Sequence, residues 1–174
     1  MSQIDFNLAH ASLYAPSKTP VLIEVPPLRY LMFNGRGEVD RTQALEALGS
    51  LAYTLKFMSR ASFGRDYAVG PFERLLNAGG TWTQMILQPD WIFPDMLKAA
   101  RAEAFMKSGL PGLERVRLEN LEEGLCAQGL SLDGLPKGLL LNGPRHEIVL
   151  KSGRTLLRQP VRWPQTAIAE GPAI

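Results

Sequence analysis

The sequence predicts an α+β fold: two β-α-β-β modules sharing a largely antiparallel sheet, with the helix of the second module shortened or missing. Three observations lead there. Strand-like stretches come in pairs, which favours antiparallel neighbours. One strongly periodic helix follows the first pair, so the first half reads β-α-β-β. The stretch between Leu132 and His146, where the second half would need its helix, is too short for a helix of normal length plus two connections.

Residues 1–19 are a mixed lead-in ending in the turn-rich "APSKTP". "VLIEV" (21–25) and "RYLMFNG" (29–35) are rich in β-formers, and Pro26 and Pro27 separate them. Over 41–60 the apolar side chains Leu45, Leu48, Leu51, Ala52, Leu55 and Met58 recur at helical spacing. Asp40 is placed to cap that helix, with Gln43 in the capping-box position. "DYAVGPFE" (66–73) and "TWTQMILQ" (81–88) read as strands joined by "NAGG". A second helix is expected to start near Pro94, which suits a first turn, and to stop before Gly109. "ERVRLEN", "EGLCAQGLSL", "RHEIVL" (145–150) and "TLLRQPV" complete the strands, and a mobile tail is expected over 163–174.

Composition limits the functions. The chain has 174 residues, 45% hydrophobic and 21% charged, which suits one globular domain with a proper core. Nineteen basic residues against 17 acidic ones leave +2, too balanced for a nucleic-acid binder. No apolar run approaches the roughly 18 residues needed to cross a bilayer, and the start lacks a signal-peptide pattern. A cytoplasmic location and no membrane partner are expected. The lone Cys126 reads as a small core residue rather than a nucleophile. GxGxxG, P-loop, HExxH and GxSxG patterns are absent. His10 and His146 have no metal-ligand spacing, so neither metal nor cofactor is implied.

Glu147 is the one residue whose position asks for an explanation. On "RHEIVL", His146 alternates with Ile148 and Leu150 and reads as a packed histidine; Glu147 shares the other face with Arg145 and Val149. Two readings stand. Glu147 partners Arg145 on a solvated strand face, or it lies in an aromatic-lined hollow where desolvation makes it a base and a magnet for cations. Tyr67, Phe72, Trp82 and Trp91 are candidate walls.

Seven segments in order, "LYAPSKTPVLIEVPPLRYLMFNGRGE" (13–38), "YTLKFM", "DYAVGPFE", "WTQMILQPDWI", "EGLCAQ", "HEIVL" and "LLRQPV", resemble the stand-alone form of the gyrase-inhibitor-like (GyrI-like) small-molecule-binding family. The resemblance runs from about residue 5 to residue 161. It implies a curved sheet built from two half-repeats, about 20–90 and 110–162, within a domain spanning 1–162, and a ligand cleft between them. It implies a protein that binds bulky, flat, often cationic aromatic molecules, with Phe72, Trp82, Trp91 and Gln128 as ligand-binding residues. The alternative it implies is a hydrolase that opens the strained cyclopropane rings of DNA-alkylating toxins. In that reaction the family's acid falls on Glu147 as base, with Tyr67 or Tyr53 as hydroxyl donor. The chain departs from the pattern in two places. "RLLNAGG" stands where relatives carry "GLWW", and "SLDGLPKGLLLNGP" stands where they carry "GPY" and a helix. A lost helix would leave a sheet face for a partner to cover, so a homodimer is expected. A degenerate cleft serving as an interaction surface is the third reading.

Overall fold

The computed structural model describes residues 2–165; most of the expected tail over 163–174 lies outside them. The strands are β1 (Val21–Val25), β2 (Leu28–Arg36), β3 (Phe72–Leu76), β4 (Thr81–Gln88), β5 (Arg117–Leu121), β6 (Gly124–Gly129), β7 (Leu140–Leu141), β8 (Arg145–Val149) and β9 (Thr155–Arg162). The helices are α1 (Phe6–Ala9), α2 (Gly37–Phe63) and α3 (Pro94–Ser108).

Eight strands form one curled antiparallel sheet in the order β1-β6-β9-β8-β3-β4-β2-β5, with the two-residue β7 attached to β9. The order reads the same from both ends. β5-β2-β4-β3 matches β1-β6-β9-β8, and the two quartets meet at the β3–β8 pair. The first quartet has α2 between β2 and β3. At the corresponding place between β6 and β8 the chain makes turns and the short β7. The second helix is therefore absent among the described residues, as the segment length predicts.

α2 begins at Gly37, four residues before the expected start at residue 41. Asp40 does not cap it; its carboxylate accepts the backbone N–H of Arg36 at 2.8 Å and is held low by its hydrogen bond to Arg115. Ala44, Ala47, Leu48, Leu51, Ala52 and Leu55 bury one face of α2 against β2, β4 and α3. Each fully buried leucine contributes about 1.5–3 kcal/mol, so these few positions outweigh the surface ion pairs of the same helix. α3 starts at Pro94 and stops at Gly109, whose φ of +59° is a left-handed cap that favours glycine. It packs through Leu97, Ala100 and Ala104.

Directly opposed residues in a sheet share a face. The register Gln128–Arg158–His146–Leu75 therefore lies on one side of the sheet, together with Ile148, Glu73, Met85 and Met32. Phe72, Arg74, Gln84 and Glu147 lie on the other side, with α2. The lead-in covers the first of these faces. Phe6, Leu13 and Tyr14 are buried against it, a role the composition of residues 1–19 does not signal.

Gly35 tests the close fit of α2 to the sheet. A Cβ there would run into the Trp82 ring and sit 2.9 Å from Asp40 Cβ. Gly35→Ala should lower stability by about 1–3 kcal/mol in urea unfolding; an unchanged midpoint would show that the Trp82 layer is loose.

Candidate functional site

On the helix side, the missing second helix leaves a hollow of about 320 Å³ that spans the β3–β8 seam. Arg41 and Leu45 of α2 form one wall, Phe72, Arg74 and Gln84 the floor, and Glu147 the far side. Register makes Glu147 the cross-strand partner of Arg74. Arg74 Nη2 and Nε donate to Glu147 Oε1 at 2.7 and 3.1 Å, with the two side chains 33% and 24% exposed. Among the described residues Oε2 receives no hydrogen bond, so half of this carboxylate stays available. Pairing with Arg145, two residues away on the same strand, is not what the structure shows.

The structure scatters the other residues singled out from sequence. Phe72 shares the hollow with Glu147. Tyr67 is buried below the C-terminal half of α2, where its hydroxyl donates to Gln88 Oε1 at 3.4 Å. Burial pushes that hydroxyl above its ordinary pKa. Tyr53 is 53% exposed on α2 beside Phe57. Neither tyrosine lines the hollow. Trp82 stacks on Phe33 with ring centres 6.4 Å apart. Trp91 meets Tyr67 edge-on at 6.1 Å and donates its indole N–H to Ser59 Oγ at 2.9 Å. Gln128 belongs to the opposite face of the sheet.

That opposite face holds the densest set of ionisable groups. His146 is fully buried between two acids. Its Nδ1 lies 3.0 and 3.1 Å from the two carboxylate oxygens of Glu123, on the β5–β6 turn. Its Nε2 lies 2.8 Å from Glu73 Oε1, off the line of a straight hydrogen bond, so charge rather than alignment makes that contact. Arg158 donates to Glu123 Oε1 (3.3 Å), Gln128 Oε1 (2.9 Å) and the Leu13 carbonyl (2.6 Å). Gln128 in turn donates to the Ser12 carbonyl at 3.0 Å. Tyr30 and Tyr14 donate to the two oxygens of Glu73 at 3.1 and 3.3 Å. Burial, reinforced by the Glu73 charge, holds both phenols far above their ordinary range.

Sequence reading missed Glu73, Glu123, Arg158, Tyr14 and Tyr30. The available signal was a charged residue inside an otherwise apolar strand, as in "PFE" and "LLRQPV", since such residues are seldom fully buried unless paired. Cys126 is buried as expected, and burial pushes its thiol up to about 12. Among the described residues no group of His, Cys, Asp and Glu could hold a metal ion, and no helix is long and apolar enough to cross a membrane.

Solved structures from Listeria innocua are similar to this chain. One, described as a hydrolase, is 30% identical over 92% of this chain and 100% of its own, with a TM-score of 0.80. The chain belongs to the family of that protein. Two further Listeria innocua structures cover the same shares at 26% identity: an uncharacterised conserved protein with a TM-score of 0.79 and a hydrolase with a TM-score of 0.80. No family model matches the chain, and no curated protein matches it either.

Burial favours neutral His146, but Glu123 and Glu73 outweigh it and raise its pKa above 6.5. The folded state then binds the proton more tightly than the unfolded one. The stability from His146 is full below about 6.5 and is lost as pH rises through the folded value. Burial also opposes the charge of Glu123, but His146 and Arg158 prevail and lower its pKa below 4.5. Its contribution is present above 4.5 and is lost as pH falls through the folded value. Thermal unfolding should therefore show a stability plateau between these limits, and His146→Gln should flatten its alkaline side. A variant with the wild-type profile would show that His146 is not the group responsible.

Proposed function

We propose that this chain binds small flat aromatic molecules in the hollow between α2 and the β3–β8 seam. The observation that carries the reading is the half-buried Arg74–Glu147 pair with one carboxylate oxygen left open in a hollow that Phe72 also lines. A ligand ring would stack on Phe72, while an N–H or O–H of the ligand donates to Glu147 Oε2. Partly apolar walls strengthen that contact relative to water. The order of motifs that resembles the GyrI-like family supports the same ligand class. Arg41 and Arg74 outnumber Glu147 in the hollow, so a donor-bearing ligand of modest charge fits better than a strong cation.

A second reading is favoured by one finding: two of the Listeria innocua structures are described as hydrolases. In it, water adds to a carbon of a strained cyclopropane and gives its proton to Glu147. The electron pair of the broken C–C bond passes into a conjugated carbonyl of the substrate, whose oxyanion Arg74 neutralises. The hydroxyl donor expected at Tyr67 or Tyr53 has no part in this version, because neither lines the hollow.

The two readings separate in one comparison. Purified wild type and Glu147→Gln are each mixed with a flat amine-bearing dye and with a cyclopropane-containing alkylator. Dye binding weakened about tenfold by the substitution, without turnover of the alkylator, supports the binding reading. Turnover that disappears in Glu147→Gln supports the hydrolase. Folded protein that does neither, or dye affinity equal in both forms, would contradict a site at Glu147.

A further inference from the structure

A different corner of the molecule holds a second ready-made hollow. Where α2 ends and the β4–α3 connection begins, Phe63, Arg65, Trp91 and Phe93 line a cavity of about 330 Å³. This lies at the small end of the range that holds small ligands, enough for one or two fused rings. Its walls are aromatic and open: Phe63 and Phe93 are 54% and 55% exposed. Its geometry is fixed from beneath by one buried hydroxyl. Ser59 Oγ accepts the Trp91 indole N–H at 2.9 Å and donates to the Arg65 carbonyl at 2.8 Å, which locks the tryptophan and the arginine backbone together.

The only charge on the cavity lining is positive. The Arg65 guanidinium lies 5.0 Å from the Trp91 ring centre and, among the described residues, makes no hydrogen bond or ion pair. Arg29 sits 5.7 Å from the Phe93 ring centre. Its Nη1 donates to the Asp90 and Ile92 carbonyls and its Nε to Asn120 Oδ1, so most of its hydrogen bonding is committed and it adds mainly charge. No acid lines the cavity. The neighbouring Asp66 is turned away, bound to Lys56 Nζ at 2.6 Å and to its own chain at Tyr67.

We propose that this corner is a binding site for planar aromatic anions, such as aromatic carboxylates, with the ring held between Phe63 and Phe93 and the anionic group on Arg65. A guanidinium stacked on an indole keeps its in-plane N–H donors free, and those donors match a carboxylate in a forked arrangement. The ring walls supply affinity without selecting charge. The unpaired Arg65 makes the selection, favouring anions over cations of the same shape. The site does not depend on the reading of Glu147.

Titration calorimetry with 2-naphthoate and with its cationic counterpart, 2-naphthylmethylammonium, tests this on the whole chain. Measured in Glu147→Gln, which removes the carboxylate that the first hollow offers to amines, the naphthoate should bind at least about tenfold more tightly than the ammonium compound. Phe93→Ala and Arg65→Glu should each weaken naphthoate about tenfold or more, while Arg65→Lys retains the preference for the anion. Both positions are exposed, so these variants should fold, and Glu147→Gln should leave naphthoate binding unchanged. The proposal is overturned if naphthoate fails to bind, if it binds no better than the ammonium compound, if it keeps its affinity in both Phe93→Ala and Arg65→Glu, or if Glu147→Gln abolishes it.

Discussion

His146, buried between Glu73 and Glu123, is the contact on which the two halves of the sheet depend. Glu73 comes from β3 in one quartet, His146 and Arg158 from β8 and β9 in the other, and Glu123 from the turn joining β5 to β6. The four side chains form a closed set of two acids and two bases. Burying such charges is expensive, and their attraction offsets the cost only when every partner is present. Removing one would leave an uncompensated charge in the core, an effect of about 3–5 kcal/mol. The same set also fixes the lead-in segment: Arg158, Gln128 and Glu73 hold the Leu13 carbonyl, the Ser12 carbonyl and the Tyr14 hydroxyl. The first twenty residues thus act as the cover of that face, and the polar set beneath them is sealed from solvent.

With one face sealed, the other face carries the open hollow of the sheet. Near-symmetry of the two quartets would place a helix on each side of the β3–β8 seam. Only α2 is present, so the seam opens into a hollow instead of closing into a core. The cross-strand register then sets Arg74 against Glu147 on its floor. Loss of one helix therefore creates the opening and leaves its ion pair half in water.

Local periodicity made much of this fold readable. The apolar repeat from Leu45 to Met58 marks α2, and Pro94 with Gly109 brackets α3, because both signals sit within a few residues of the structure they specify. The absent helix was legible as a length: too few residues separate Leu132 from His146. β3 was displaced, with the strand at Phe72–Leu76 rather than 66–73, because residues 66–71 follow the lead-in, where Ile4 bridges Tyr67. The site was less legible for the same reason. His146 was read correctly as packed, but its partners are 73 and 23 residues away in sequence. Strand alternation offers Glu147 only Arg145 as a charged neighbour because it is local, whereas the pairing of β3 with β8 that brings Arg74 alongside is not. Burial of Phe6 and Tyr14 leaves no period in a segment this short and irregular.

Nitrogen-15 NMR of the His146 ring at neutral to mildly alkaline pH, with His10→Gln used to assign the signal, tests the account most directly. Both ring nitrogens should still carry protons above pH 6.5, as expected for an imidazolium clamped between two carboxylates. A ring that loses a proton near or below 6.5 would show that the buried set is not held by charge.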